Sequence, residues 1–518
     1  MKSDNIVIVG GGTAGFMTAT TLIKLFPDKK VSLIESPRIK TVGVGESTIV
    51  QFRKWMKIVG IKDEDFMKEC DASYKFSIGF TDFHKRGSGT FHYPFGDSVV
   101  PDKNKFTIWY LKKMAYPDIP LTDFADSFCP IMALVNNNKV HTNEDKTVGL
   151  WGLYKDTAWH FDASKFATWL RDNICIPNGL KHIRSTINDV VMCDKGIDYL
   201  MLDNGDEVKA DLFIDCTGFK SLLLGGAIKE PFISYNHILP NNKAIATHIP
   251  YKNKDKELVA FTNCTAIENG WVWNIPLWSR IGTGYVYSDK HVTPEQAEKE
   301  FKKHLKKNGH DVKELKFNHI DMRVGIHKRL FVKNVLAIGL SAGFVEPLES
   351  NGLYTVHEFL SKMIMLLQRD NISQFEKDSY NIICKGIFHS WAEFVSLHYA
   401  LSERDDTPYW RDNMEREYVN ELYNNIEKTD SDFQKTIGSK YLRGAFEDTA
   451  GIKFIATGMN WFPTSKESIM YINTIDHLDL KAFEESFEVM DKLKKQWNDA
   501  VKDKPSLYKY LKDNVYKT

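Results

Sequence analysis

The first thirty-five residues restrict the fold more than any other part of this 518-residue chain. Ile6-Val7-Ile8-Val9 is a β-branched apolar run without polar alternation, the mark of a strand buried on both faces in a parallel sheet. It runs into Gly10-Gly11-Gly12-Thr13-Ala14-Gly15, after which Ala14 to Phe26 reads as a helix and Lys30 to Glu35 as a second strand. Strand, glycine turn, helix, strand and terminal carboxylate together make the βαβ dinucleotide-binding unit. Gly10, Gly12 and Gly15 let the backbone approach a pyrophosphate, and Thr13 and Ala14 open a helix whose N-terminus favours an anion. Glu35 is placed to accept hydrogen bonds from a ribose diol. The unit alone does not separate FAD from NAD.

The chain returns to the same sheet much later. Ala210 to Phe219 and Asn334 to Leu340 are apolar strands that each run into a glycine turn, which brings Leu340 toward the cofactor. Residues 1–352 are therefore expected to form one discontinuous nucleotide-binding domain, with substrate-region insertions at about 80–180 and 225–325. Val259 to Val286 carries alternating and aromatic runs that predict an antiparallel sheet. Thr293-Pro294-Glu295-Gln296 is a capping box that opens a helix to about Lys307. From 353 to 518 the pattern becomes mainly helical, with apolar residues at helical spacing over Leu353–Leu367 and Tyr380–Leu401.

Composition excludes several partners. Lys+Arg and Asp+Glu both count 68, so no net field draws nucleic acid or an acidic membrane. No apolar run is long enough to span a bilayer, and Met1 to Asn5 leaves no room for a signal peptide before the first strand. The seven cysteines are scattered without a Cys-x-x-Cys pair, and no His-x-x-x-His pair occurs, so no metal site is expected. The expected setting is the cytoplasm, with reduced cysteines.

Four further segments carry candidate chemistry. Val42-Gly43-Val44-Gly45-Glu46-Ser47-Thr48 is a second glycine-rich turn. Ser73 to Phe80 alternates so that Tyr74, Phe76, Ile78 and Phe80 share one face and Lys75 and Ser77 the other, an arrangement that by itself leaves Lys75 facing solvent. Gly270-Trp271-Val272-Trp273-Asn274-Ile275-Pro276 puts two indoles on one face of a strand. Gly343-Phe344-Val345-Glu346-Pro347-Leu348-Glu349-Ser350-Asn351-Gly352 offers two carboxylates ahead of a helix start.

Together these segments resemble the flavin-dependent halogenases of the tryptophan-halogenase-like family. The matching motifs are Trp-x-Trp-x-Ile-Pro at 271–276, Gly-Val-Gly-Glu-Ala-Thr at 43–48 with Ser47 for Ala, and Phe-Lys-x-x-Ile-x-Phe at 74–80 with Tyr74 for Phe. Phe-x-x-Pro-x-x-Ser-x-Gly follows at Phe344, Pro347, Ser350 and Gly352. Further similarity covers Asp211 to Phe219 and His398 to Trp410, with a weaker match reaching 463.

The resemblance implies an α/β fold of the two-dinucleotide-binding, monooxygenase-like class, with an inserted mixed β-sheet and a C-terminal helical subdomain. It implies FAD, used as FADH2, with O2 and a halide ion as co-reactants. It assigns catalysis to Lys75 and Glu349, flavin contacts to Val44 and Gly45 in addition to the first turn, and halide binding to the backbone amides of Asn351 and Gly352. Trp271, Trp273 and Pro276 would guard a tunnel that keeps substrate from the flavin, with Tyr93, Phe95, Phe344, Pro347 and Ser350 lining the tunnel or the substrate site. It implies a separate NAD(P)H-dependent flavin reductase and a small aromatic substrate, and leaves room for a homo-oligomer.

Two departures matter. The family commonly has Thr at the position of Asn351, which bears on halide preference. Members acting on free tryptophan clamp the indole with an aromatic-His-x-Phe segment and a C-terminal Trp. Here Phe91-His92-Tyr93-Pro94-Phe95 places Tyr93 at the His position, and Tyr441 to Pro463 holds Phe446 and Trp461 without a clear counterpart of the clamp. Another indole, a phenol or a pyrrole-like arene is the expected substrate. An aromatic hydroxylase or a catalytically inactive flavin-binding protein is the alternative.

Overall fold

The computed structural model describes residues 1–39, 46–96, 109, 112–113, 116–369, 371–416, 450–460 and 480–518. Gly43, Val44, Gly45, Phe446 and Trp461 lie outside these residues. The dinucleotide unit forms where the sequence places it, as strand Asn5–Val9, helix Thr13–Leu25 and strand Lys30–Glu35. Asn5–Val9 pairs in parallel with Lys30–Glu35 on one side and Leu212–Asp215 on the other. Val335–Ala337 extends this sheet, again in parallel, and Lys181–Arg184 closes the other edge. Ile6, Val7, Ile8, Leu212, Phe213 and Ile214 are all buried, because helices and loops cover both faces.

A seven-stranded mixed sheet forms the second layer. Its order is Asn318–Asp321, Lys243–Ile249, Ile281–Tyr287, Gly270–Pro276, Phe261–Ile267, Ser77–Thr81 and Thr90–Pro94. The predicted antiparallel ladder over 261–287 is present, and Ser77–Thr81 joins its edge in parallel with Phe261–Ile267. On the helical side, Pro294–Lys307 starts at Thr293, whose side chain accepts from the Gln296 amide. Gly352–Leu367 and Gln374–Ala400 cover the expected helical segments, the second starting six residues before the expected Tyr380 at a Ser373–Glu376 capping box.

The segment around Lys75 differs from the single alternating strand read in the sequence. Ser73–Lys75 and Ser77–Thr81 are two strands that part at Phe76 and enter different sheets. Ser73–Lys75 pairs with Ala158–Phe161, which also pairs with Glu46–Ser47. Both faces of the segment are therefore covered, and Lys75 is fully buried rather than solvent-facing. The C-terminal residues return to this region: Tyr516 stacks on Trp278 at 4.0 Å and donates to the carbonyl of Ala72, next to Ser73, at 2.9 Å.

Candidate active site

The glycine turn has the shape a dinucleotide requires. Gly10 has φ +117°, and a β-carbon there would lie 2.2 Å from the Cys216 carbonyl oxygen. A β-carbon on Gly15 would lie 1.9 Å from the Gly10 oxygen, so only glycine allows the helix to pack this close to the strand end. A side chain at Gly11 would collide with the Glu35 carboxyl group, which places Glu35 against the turn; it pairs there with His182 at 2.9 Å. The helix Thr13–Leu25 has no acidic residue in its first turn to compete with an anion. Thr13 donates to the Ala163 carbonyl, and Gly339, next to Leu340, packs against Ala14. These residues fit an FAD pyrophosphate and ribose.

Lys75 and Glu349 are both buried and close enough to influence each other electrostatically. Lys75 Nζ donates to the Thr48 carbonyl at 2.9 Å and to Ser350 Oγ at 2.8 Å, and stands 5.1 Å from the centre of the Phe95 ring. Burial pulls its pKa down to about 7, partly opposed by Cys264 and Glu349. Glu349 is 1% exposed, and burial raises its pKa against the opposing pull of His398 and Lys75. Nε2 of His398 lies 2.8 Å from Glu349 Oε1, yet among the described residues neither carboxylate oxygen receives an aligned hydrogen bond. The contact is close but unaligned, and the carboxylate lone pairs stay open to a proton.

In the sequence His398 stands out only as part of a segment similar to the family. A buried histidine forty-nine residues from its carboxylate partner carries no local signal, and only the helix Gln374–Ala400 brings it to Glu349. Glu346, the rival carboxylate, is committed elsewhere. It accepts from Tyr399 at 2.6 Å, Asn241 at 2.9 Å and Trp271 Nε1 at 3.3 Å.

Trp271 and Trp273 share a face of Gly270–Pro276, with ring centres 6.2 Å apart. The Trp273 indole lies across Gly284, where a β-carbon would come within 2.1 Å of the ring. Pro276 ends that strand beside His160 and Ser73. Tyr93 stacks on Phe454 at 5.6 Å and meets Phe95 at 6.1 Å and Phe394 at 6.3 Å, so helix Ala450–Gly458 closes over Tyr93. Phe344 packs edge-on against Phe219, and Pro347 opens the short turn carrying Glu349.

Ser350 adopts φ +57° directly before the 16-residue helix Gly352–Leu367. The backbone turns there, and Asn351 and Gly352 form the helix start. The Asn351 side chain is buried and, among the described residues, both its polar atoms are unpaired, although a buried carboxamide ordinarily finds partners. An anion held by the helix-start amides is within the chemistry of this donor set.

A dinucleotide cradle together with a buried lysine and a buried carboxylate defines the class of the protein, an α/β enzyme that uses a nucleotide cofactor. Its family follows from comparison: the model described as tryptophan halogenase matches residues 5–470, and the chain belongs to that family. It is 34% identical over 447 residues to tryptophan 6-halogenase SttH of Streptomyces toxytricini, covering 82% of this chain and 83% of that protein. It is 33% identical over 432 residues to tryptophan 7-halogenase RebH of Lentzea aerocolonigenes, covering 80% and 79%. Among solved structures, the apo structure of VirX1 superposes with a TM-score of 0.92 at 37% identity over all of both chains. The SttH structure superposes with a TM-score of 0.84 at 29% identity, covering 98% of this chain and 99% of that one.

The protein is thus a flavin-dependent halogenase, an oxidoreductase acting on aromatic substrates. At family level its co-reactants are FADH2, O2 and halide, and its partners a separate flavin reductase and a small aromatic molecule. Among the described residues, no helix is long and apolar enough to cross a membrane.

Proposed function

We propose that this enzyme electrophilically halogenates an electron-rich indole or phenol other than free tryptophan, using bromide or iodide as well as chloride. The observation that carries the reading is the buried Lys75, held at the Thr48 carbonyl and Ser350 with Phe95 beside it and under the electrostatic influence of the buried Glu349. Bound FADH2 with oxygen supplies the oxidising equivalent that converts halide to an electrophilic halogen. A halide is held by the amides of Asn351 and Gly352, next to Ser350. Lys75, with a pKa near 7, is part free amine at neutral pH and can take or hydrogen-bond the halogenating agent. Glu349, buried and without aligned donors among the described residues, takes the proton lost from the ring.

The substrate reading rests on Tyr93. Its ring fills the space between Phe95, Phe394 and Phe454, at the position where tryptophan-specific members place a histidine. The surroundings of Tyr93 are therefore aromatic, and its phenolic hydroxyl stands where those members have an imidazole. Trp271, Trp273 and Pro276 form the barrier between the two sites in this reading. Supplying purified enzyme, reductase, NADH and FAD with L-tryptophan, indoles and phenols in competition tests it. Halogenated indole or phenol should accumulate ahead of halotryptophan; halotryptophan as the dominant product would reject the substrate reading. Equal or faster turnover with chloride than with either heavier halide would reject the halide reading.

A further inference from the structure

A buried chain of hydroxyl groups leaves Lys75 and ends at a histidine. Lys75 Nζ donates to Ser350 Oγ at 2.8 Å, and Ser350 Oγ donates to Ser47 Oγ at 3.0 Å. Ser47 Oγ lies 2.6 Å from Thr262 Oγ1, which lies 2.9 Å from His160 Nε2. On its other side, His160 Nδ1 lies 3.3 Å from Ser73 Oγ, and Ser73 donates to the Pro276 carbonyl at 2.5 Å. All six side chains are buried. They come from five separate stretches of chain, brought together where the small sheet carrying Lys75 meets the strand Phe261–Ile267.

The donors in this chain all point one way. An ammonium group can only donate, so Ser350 accepts from Lys75 and its single proton goes to Ser47. Ser47 then donates to Thr262, and Thr262 to a bare His160 Nε2. Ser73 commits its proton to the Pro276 carbonyl and accepts from His160 Nδ1–H. One neutral tautomer of His160 satisfies both partners, and burial together with the Lys75 charge keeps the ring neutral.

This polarity decides what Lys75 can do once deprotonated. A neutral amine has two N–H bonds and one lone pair. The Thr48 carbonyl takes one N–H, and Ser350, its own proton committed to Ser47, takes the other. Among the described residues, no donor then faces the lone pair. We propose that Ser47, Thr262 and His160 are positioning residues that hold the Ser350 proton away from Lys75, keeping the amine lone pair open to the halogenating agent. The device depends on Ser47, which stands where the similar family segment has Ala. An alanine there leaves the Ser350 proton without its acceptor and free to turn onto the amine.

The inference rests on the proposed role of Lys75, but its first test does not. The full-length protein, labelled with lysine carrying 13C at Cε, is titrated by NMR, and the Lys75 signal is identified by its loss in Lys75→Met. Lys75 is faced by Glu349, Cys264 and His160, and Glu349 in turn by His398 and Tyr93; all except His160 are kept in every variant. A serine hydroxyl donating to the neutral amine stabilises the uncharged form. Ser47→Ala should therefore lower the Lys75 midpoint by about half to one pH unit, the size of one neutral hydrogen bond. His160→Leu, which removes the terminal acceptor and lets the chain reverse, should do the same. Ser47→Thr and His160→Gln, which keep a hydroxyl and an acceptor–donor pair respectively, should restore the wild-type midpoint. An unchanged midpoint in Ser47→Ala, or an equal drop in Ser47→Thr, overturns the proposal. Halogen transfer in Ser47→Ala should slow about fivefold even though more of the lysine is neutral. Full halogenation by Lys75→Met would instead defeat the role given to Lys75 and leave the NMR result standing.

Discussion

Nε2 of His398 lies 2.8 Å from Oε1 of Glu349, with both side chains sealed from solvent. Burial raises the pKa of Glu349, and His398 is the largest of the influences that lower it. A carboxylate acting as base works above its pKa, so the acidic limb of the kcat–pH profile reports this balance. His398→Phe removes the lowering partner. The acidic limb should move to higher pH, with flavin affinity unchanged; an unmoved limb would separate His398 from the function of Glu349.

Lys75 costs stability in order to be reactive. Its folded pKa of about 7 lies below the ordinary 10.5, so between these values the unfolded chain binds the extra proton. Stability therefore rises with pH across that window, and the cost is fully present below pH 7. Lys75→Met should be more stable than wild type at pH 7 by a few kcal/mol, because each tenfold loss of proton affinity on folding is worth ~1.4 kcal/mol. The gap should close as pH approaches 10. Urea unfolding at several pH values checks this; a variant less stable than wild type would contradict the desolvated lysine.

Gly10→Ala should weaken FAD binding at least tenfold and lower stability by about 2 kcal/mol or more, because φ +117° and the Cys216 carbonyl both exclude a β-carbon. Gly60→Ala is the control. Its φ of +74° brings some strain, but nothing lies within 4 Å, so it should cost ~1 kcal/mol and leave flavin binding intact. Flavin fluorescence titration distinguishes the two, and equal flavin affinity in both would remove the turn at Gly10 from the cofactor site.

Asn351 brings a buried carboxamide, unpaired among the described residues, to the helix start proposed to hold halide. Asn351→Thr should change the ratio of chloride to bromide turnover at least threefold, the scale of one hydrogen bond gained or lost. An unchanged ratio under halide competition would show that the backbone amides act without the side chain.

What the sequence disclosed follows from how far apart the interacting residues are. The dinucleotide unit is local, so strand Asn5–Val9, the glycine turn and strand Lys30–Glu35 are legible from composition and spacing alone. Trp271 and Trp273 share a face because a strand has period two, which is equally local. Alternation fails at Lys75 because it assumes one sheet with one wet face, whereas the backbone switches sheets at Phe76 and both faces are covered. His398 beside Glu349, and the relay from Ser350 through Ser47 and Thr262 to His160, join residues from distant parts of the chain. No pattern along the sequence encodes such meetings; motif resemblance locates Lys75 and Glu349, and only the fold shows what surrounds them.

The decisive experiment supplies purified enzyme, FAD, a flavin reductase, NADH, oxygen and bromide to an indole and phenol panel, with Lys75→Ala in parallel and products read by mass spectrometry. A bromide-dependent mass shift should appear with wild type and disappear in Lys75→Ala while flavin oxidation continues. Brominated product at the wild-type rate in Lys75→Ala, or oxygenated product formed without halide, would contradict the role given to Lys75 and the halogenation it serves.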